Sequence, residues 1–294
     1  MSKFHGIATA LVTPFKENQI DFESLEKLLR WQLDQGIQGF VVHGTTGESP
    51  TLTPAEKQKV FQFVQSYVSG QVPLIMGTGT NSTSESIDLT RKAKSWGADA
   101  ALVVVPYYNK PPQRGIFQHF LQIAEQSDFE IFVYNVPGRT VSSISPDTLE
   151  QLNEVPQIIG IKEATGNIDL LKEMKSKSRK NFIFLSGDDG TYVEFLKNGG
   201  HGCISVASHV IPQAMRQWTD WAHRGEWHKL VEVVPQYKEL IEKLFIEANP
   251  IPVKMALQKM GIINSAELRL PLVEMEKSLI PKLVSELKNC GVLS

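Results

Sequence analysis

Ile7-Ala8-Thr9-Ala10-Leu11-Val12 runs directly into Thr13-Pro14-Phe15-Lys16. The first six residues form a nearly continuous apolar run, the pattern of a strand covered on both faces. The next four decide between the two large α/β architectures. An open doubly wound sheet carries a Gly-x-Gly-x-x-Gly turn after its first strand, and Thr-Pro-Phe-Lys contains no glycine. Working outward, similar runs recur at residues 39–43, 74–77, 100–105, 130–135, 158–162, 182–186 and 202–206, eight in all. Between them lie stretches with helical periodicity. Residues 22–35 place Leu25, Leu28, Leu29 and Leu33 on one face, and 54–67 and 84–96 behave alike. Asp21 caps the first helix, Thr53-Pro54 opens the second, and Gly36, Gly70 and Gly97 stand near three helix ends. Strands alternating with helices require parallel pairing through crossovers. Eight such units without a dinucleotide fingerprint predict an α/β fold, a (β/α)8 TIM barrel.

After residue 211 no strand-like run appears. Residues 213–224, 226–247, 252–260 and 274–289 read as helices, with Pro250 and Pro252 separating two of them. The predicted organisation is a catalytic barrel over residues 1–224 and a C-terminal helical appendage over 225–294, packed on the barrel.

Composition narrows the function. The formal net charge is -2 and 21% of residues are charged, so nothing in the charge balance favours nucleic acid or an anionic membrane. The densest basic run, from Lys172 to Lys180, also carries Glu173 and reads as a solvated helix face. Cys203 and Cys290 are far apart and lack neighbours at metal-ligand spacing, which argues against a disulfide framework or a zinc site. The N-terminus has no apolar signal segment, and no window resembles a membrane span. A cytoplasmic location is expected.

In a TIM barrel the chemistry lies at the C-terminal ends of the strands. These ends read His43-Gly44-Thr45-Thr46-Gly47-Glu48, Gly77-Thr78-Gly79-Thr80-Asn81, Pro106-Tyr107-Tyr108-Asn109, Tyr134-Asn135-Val136-Pro137-Gly138-Arg139-Thr140, Lys162-Glu163-Ala164-Thr165-Gly166-Asn167 and Ser186-Gly187-Asp188-Asp189-Gly190. Lys162 stands out because it follows Ile158-Ile159-Gly160-Ile161. Desolvation disfavours its ammonium form, and a neutral amine is what attacks a carbonyl to form an imine. The alternative is a lysine neutralised by Glu163 or Glu48, and spacing does not choose between the two. Tyr134 is either a proton carrier or an aromatic at the edge of the core. Thr45 and Thr46, between Gly44 and Gly47, either present N–H groups and hydroxyls to a carboxylate or form a plain turn. Arg139 is either a carboxylate fork or a surface residue. Asp188 and Asp189 read as a helix N-cap and acidic first turn rather than metal ligands, and His43 as a satisfied histidine at the core edge.

Taken in order, Gly44-Thr45-Thr46-Gly47-Glu48, Tyr107-Tyr108-Asn109, the 134–140 stretch, Gly160 to Gly166, Leu185 to Asp189 and Asn249-Pro250-Ile251-Pro252-Val253-Lys254 resemble the dihydrodipicolinate synthase family, within the pyruvate-dependent class I aldolases. The likeness runs from about Gly6 to the C-terminus. It implies condensation of pyruvate with aspartate-4-semialdehyde in lysine and diaminopimelate biosynthesis. Carried over residue by residue, Lys162 holds pyruvate as an imine and then an enamine, while Thr46, Tyr134 and Tyr108 relay protons. Tyr108 would come from a neighbouring subunit, so the resemblance implies a homotetramer built as a dimer of tight dimers. Thr45 and Thr46 would hold the pyruvate carboxylate and Arg139 that of the semialdehyde. Gly187 and Ile204 would place backbone carbonyls near the lysine. No metal or organic cofactor is implied. An effector site is matched by Ser49, Asn81, Glu85 and Tyr107, but Pro54 and Lys57 replace histidines common in lysine-inhibited members. Weak or absent lysine inhibition is therefore expected. The nearest alternative is a sibling activity, N-acetylneuraminate lyase or a 2-keto-3-deoxy acid aldolase. Arg139 argues against it, since a sugar acid calls for hydroxyl partners at that position.

Overall fold

The computed structural model describes residues 3–294. Its strands, in chain order, are β1 (Gly6–Ala10), β2 (Phe15–Lys16), β3 (Gln19–Ile20), β4 (Gly39–Val42), β5 (Leu74–Gly77), β6 (Ala100–Val104), β7 (Ile131–Asn135), β8 (Ile158–Glu163), β9 (Ile183–Ser186) and β10 (Gly202–Ser205). Eight of them close a TIM barrel in the order β1-β10-β9-β8-β7-β6-β5-β4, and β2 and β3 form a small antiparallel hairpin. The anticipated strands are all present, each within a residue or two of its expected bounds. The helices are α1 (Phe22–Asp34), α2 (Pro54–Val68), α3 (Thr83–Ser95), α4 (Gln113–Ser127), α5 (Pro137–Thr140), α6 (Pro146–Leu152), α7 (Ile168–Ser176), α8 (Tyr192–Lys197), α9 (Pro212–His223), α10 (Trp227–Val233), α11 (Lys238–Lys243), α12 (Ile251–Lys259) and α13 (Ile280–Asn289).

Two compact units make up the chain. One comprises the residues up to Gly6 with Pro73–Ile204, the other Ile7–Val72 with Ser205–Ser294. In the first, strand alternation sorts side chains between two faces. Ala101, Val103, Ile131, Val133, Ile161 and Phe184 pack outward with Ile116, Phe120 and Leu149 of the surrounding helices. The alternate residues follow a register of their own, with Leu102 opposite Phe132 and Phe132 opposite Gly160. Gly160 is required there. A Cβ at that position would lie 2.6 Å from Phe132 Cε1 and 2.4 Å from the Ile183 carbonyl oxygen. One layer further, Val104, Tyr134, Lys162 and Leu185 line up on successive strands. The pattern that buries Phe132 thus also points Tyr134 and Lys162 to the barrel interior.

In the second unit, α1 buries Leu25, Leu28 and Leu29 together with the amide of Gln32. Gln32 accepts from Thr9 Oγ1 at 2.6 Å and donates to the Ser208 carbonyl at 3.0 Å. Asp21 caps α1 through the Ser24 N–H, and Thr53 and Glu56 complete a capping box on α2. Past Ser205 the described residues contain only helices, turns and irregular chain. Two helices differ from their sequence-based bounds. Residues 226–247 are not one helix but α10, a 3-10 turn at Val234–Tyr237, and α11. Pro235 has no N–H to continue the ladder. Likewise α13 begins only at Ile280, with Pro281 in its first turn, the position that suits proline.

Three histidines are buried in neutral form. His209 Nε2 accepts from the Val12 N–H at 3.2 Å, and Nδ1 donates to the Val206 carbonyl at 2.9 Å. Burial pulls His209, His43 and His119 down to about 4. The unfolded chain protonates these rings below about 6.5, so it binds more protons than the fold between pH 6.5 and 4. Stability should therefore fall with acidification across that window, by as much as about 1.4 kcal/mol per pH unit for each ring. Glu163, raised by burial, works in the opposite direction. Urea midpoints at pH 7, 6 and 5 test this, and a flat profile would refute it; His209→Gln should reduce the slope.

Candidate active site

Lys162 follows Ile161, which packs outward against the surrounding helices, so the alternation along β8 turns Lys162 to the barrel interior. It is 7% exposed, as is Tyr134. The two are register partners on adjacent strands, and Lys162 Nζ lies 4.4 Å from the centre of the Tyr134 ring. Such a contact holds the amine over the ring face and leaves the phenol at the outer end of the same side chain.

Sequence alone left open a lysine neutralised by Glu163 or Glu48. Glu163 points to the other face of β8, where Oε1 accepts from the Thr165 N–H at 2.6 Å and Oε2 from Asn135 Nδ2 at 2.8 Å. Burial raises its carboxyl above the ordinary range. Glu48 forms a buried ion pair with Lys254 at 2.5 Å. Both carboxylates are committed elsewhere, and among the described residues Lys162 forms no ion pair.

Gly187 at the end of β9 makes room for the lysine. A Cβ there would stand 2.7 Å from Lys162 Cε and 2.6 Å from Ala164 Cβ. We expect Gly187→Ala to displace the amine and lower kcat by about 100-fold, with the fold intact by circular dichroism. An unaltered kcat would remove this role. Ile204 lies fully inside β10, one residue beyond Cys203, which pairs in register with Ser186 of β9.

Asn135 links β7 to the segment after Arg139. Its Oδ1 accepts from Ser143 Oγ and the Ile144 N–H, each at 3.2 Å, while its Nδ2 holds Glu163. Arg139 rides on the short helix α5, exposed just ahead of that anchor. Tyr108 is 86% exposed and has φ of 71°. A bulky side chain rarely adopts that conformation without compensation. Next to it, Tyr107 accepts from the Asn109 N–H, and Asn109 Nδ2 donates to the Asn81 carbonyl at 3.0 Å. Glu85 lies in the first turn of α3. The Asp188-Asp189 cap forms differently from the expectation. Thr191 occupies the cap of α8, and Asp188 Oδ2 accepts from its N–H and hydroxyl, so the acidic pair precedes the helix.

In the second unit, the Gly44–Gly47 loop is a tight turn with the Gly47 N–H on the Gly44 carbonyl at 3.1 Å. Thr13 Oγ1 donates to the Gly47 carbonyl at 2.8 Å. A Cβ on Gly47 would approach the Leu11 carbonyl to 3.1 Å, so glycine suits the turn. Thr45 is half-buried; Thr46 is 3% exposed and its Oγ1 accepts from Asn249 Nδ2 at 2.9 Å. Lys254 Nζ also donates to the Glu267 carbonyl at 2.8 Å and sits 4.2 Å from the Phe15 ring centre. Burial pulls its ammonium down to about 8 despite the carboxylate beside it. Ser49 opens a 3-10 turn after Glu48, and Pro54 and Lys57 lie in the first turns of α2. His43 Nε2 donates to the Lys57 carbonyl at 2.9 Å, whereas Nδ1 has no partner among the described residues. It is thus only half satisfied. The contacts of Asn249 and Lys254 were not read from the sequence. The available signal was Lys254 itself, a cation within the otherwise apolar run Ile251–Leu257.

The family model of dihydrodipicolinate synthetases matches residues 3–290. The chain belongs to the dihydrodipicolinate synthetase family. It resembles the 4-hydroxy-tetrahydrodipicolinate synthase of Bdellovibrio bacteriovorus, with 55% identity over 293 residues covering 100% of both chains. The enzyme of the same name from Alcanivorax borkumensis is 46% identical over 98% of each chain. The crystal structure of dihydrodipicolinate synthase from Thermotoga maritima superposes with a TM-score of 0.97 at 42% identity, covering 99% of this chain and 100% of the other. Family membership makes the chain an enzyme, a lyase of the class I aldolase type in lysine and diaminopimelate biosynthesis. No helix among the described residues is long and apolar enough to cross a membrane.

Proposed function

We propose that the chain condenses pyruvate with L-aspartate-4-semialdehyde to 4-hydroxy-tetrahydrodipicolinate through an imine on Lys162. One observation carries the reading: a buried lysine stacked on Tyr134, with both candidate counter-carboxylates engaged elsewhere. The amine adds to the pyruvate carbonyl and water leaves. The protonated imine then acts as an electron sink, so the methyl group loses a proton to give an enamine. That carbon attacks the aldehyde, whose oxygen takes up a proton, and C2 passes from Lys162 to the substrate's own amine. Because the imine itself stabilises the carbanion, the route calls for no metal or organic cofactor.

Tyr134, Thr46 and Tyr108 relay the protons, with Tyr108 supplied by a neighbouring subunit of a homotetramer. Its solvent-facing, left-handed backbone supports that role. Thr45 and Thr46 receive the pyruvate carboxylate, Arg139 the carboxylate of the second substrate, and the Gly187 and Ile204 carbonyls face the reacting nitrogen. Fixed donors of this kind act as preorganised electrostatics. The cytoplasm is the compartment that suits the two free thiols. Catalysis resides in the barrel, residues 1–224, with 225–294 as its helical appendage.

Borohydride reduction in the presence of pyruvate, followed by peptide mass mapping, tests the imine. A pyruvyl adduct on the Lys162 peptide is expected; no adduct, or one on the other buried lysine, Lys254, would overturn the proposal. Turnover with aspartate-4-semialdehyde and not with sugar aldehydes distinguishes this activity from its siblings. At the Ser49, Asn81, Glu85 and Tyr107 site, the Lys57 ammonium repels a cationic effector. Lysine should therefore inhibit weakly or not at all, and strong inhibition at submillimolar lysine would contradict this.

A further inference from the structure

We infer that Asn249 is a positioning residue for the reaction: its side-chain amide fixes the direction in which the Thr46 hydroxyl points its proton. The inference rests on the reading of Thr46 as a member of the proton relay. Asn249 Nδ2 lies 2.9 Å from Thr46 Oγ1, and both residues are buried, at 6% and 3% exposure. A hydroxyl has one hydrogen and two acceptor lone pairs, while an amide NH2 can only donate. The amide therefore occupies one lone pair of Thr46 and turns the hydroxyl hydrogen away from itself. What is left is one hydrogen to give and one lone pair to receive, the two capacities a relay member uses. Accepting a hydrogen bond also makes a hydroxyl a stronger donor, since chained hydrogen bonds polarise one another.

The surroundings hold this geometry. Asn249 immediately precedes Pro250 and α12, and the same helix carries Lys254, which grips Glu48 two residues beyond Thr46. The Gly44–Glu48 segment is thus held from one side at two points by the stretch Asn249–Lys254, a neutral donor on the Thr46 hydroxyl and an ammonium on the Glu48 carboxylate. Thr13 holds the Gly47 carbonyl as well. The charged groups at this grip are Glu48, Lys254, Glu267 and Arg269; the backbone N–H of Arg269 also donates to Glu48 Oε2 at 3.0 Å, while its guanidinium pairs with Glu56. Glu48 and Lys254 neutralise each other, so the amide is the uncharged contact that sets the polarity of Thr46.

Reversing that polarity is the test. An aspartate has nearly the shape of asparagine, but its ionised form only accepts, so Thr46 must spend its proton on it. Burial at this 6% exposed position raises such a carboxyl above the ordinary aspartate range, and once protonated it donates again. For Asn249→Asp, kcat should fall about 100-fold at pH 8 and recover to within about tenfold of wild type at pH 6. Asn249→Ala should lose kcat by about tenfold with no recovery on acidification, and its pyruvate KM should stay within about twofold. In the Thr46→Val background the pH-dependent part of the Asn249→Asp effect should vanish.

A uniform Asn249→Asp deficit at all pH values, a wild-type kcat at pH 8, or pH recovery that persists without the Thr46 hydroxyl would each overturn the inference. Asn249→Ser guards against an aspartate variant that does not fold: it must lose kcat rather than pyruvate KM, and the reverse split also overturns the inference. Thr46→Val alone separates the two readings. If it turns over at the wild-type rate, the relay role of Thr46 falls. If it is crippled while Asn249→Asp is unaffected, only the role of Asn249 falls.

Discussion

Lys162→Ala should lower kcat by about ten-thousand-fold or more, the scale seen when the nucleophile of a covalent mechanism is removed. Borohydride should no longer trap pyruvate on the protein. Lys162→Arg is the more discriminating variant. It places a cation near the Tyr134 ring, where Lys162 Nζ lies in the native protein, but a guanidinium does not deprotonate in a protein and so forms no imine. If the lysine acts only as a fixed charge on the pyruvate carboxylate, the arginine variant should retain much of the activity. If it is the nucleophile, the two variants should be equally dead. Wild-type turnover in either would end the imine mechanism while leaving the barrel untouched. Thermal midpoints of both variants should remain close to wild type, because Lys162 forms no ion pair among the described residues.

The largest stability effect should come from the buried Glu48–Lys254 pair. Both side chains are fully inaccessible, and the 2.5 Å contact joins residues 206 positions apart. Lys254→Met would leave a carboxylate without its counter-ion in a site sealed by Phe15. Breaking such a pair from one side costs about 3–5 kcal/mol, a drop in melting temperature on the order of 10 °C for a chain of this size. Adding Glu48→Gln should restore most of the loss. The charge is then gone from both partners, and the remaining carbonyl still accepts the Arg269 N–H. Urea unfolding of the two single variants and the double variant provides the cycle. A loss under about 1 kcal/mol for Lys254→Met would show that water or another cation compensates Glu48. Because Glu48 ends the loop that carries Thr45 and Thr46, the same variant should also lose activity.

Local pattern made the scaffold legible. The runs around Leu102, Val133 and Ile161 are apolar on both faces because helices cover the outside of the sheet and side chains fill the inside, and that survives translation into a linear string. Capping was equally readable at Asp21 and Thr53, since a cap and the N–H groups it satisfies lie within one turn. Helix bounds near Pro235 and Pro281 were less so. Periodicity there continues through residues where a missing N–H interrupts the ladder.

What the sequence determined by itself is the barrel, the strand that ends at Lys162, and the short set of polar residues at the strand ends. These follow from burial patterns that repeat every two or 3.6 residues. Tertiary structure alone decided which carboxylate meets which cation, that Lys162 lies over Tyr134, and that Asn249 donates to Thr46. The sequence left Glu48 open as a partner of Lys162, and its actual partner, Lys254, was not foreseen. The choice depends on strand register and on where α12 places its ammonium, and a hydrogen bond between residues some two hundred positions apart leaves no periodic trace in the chain.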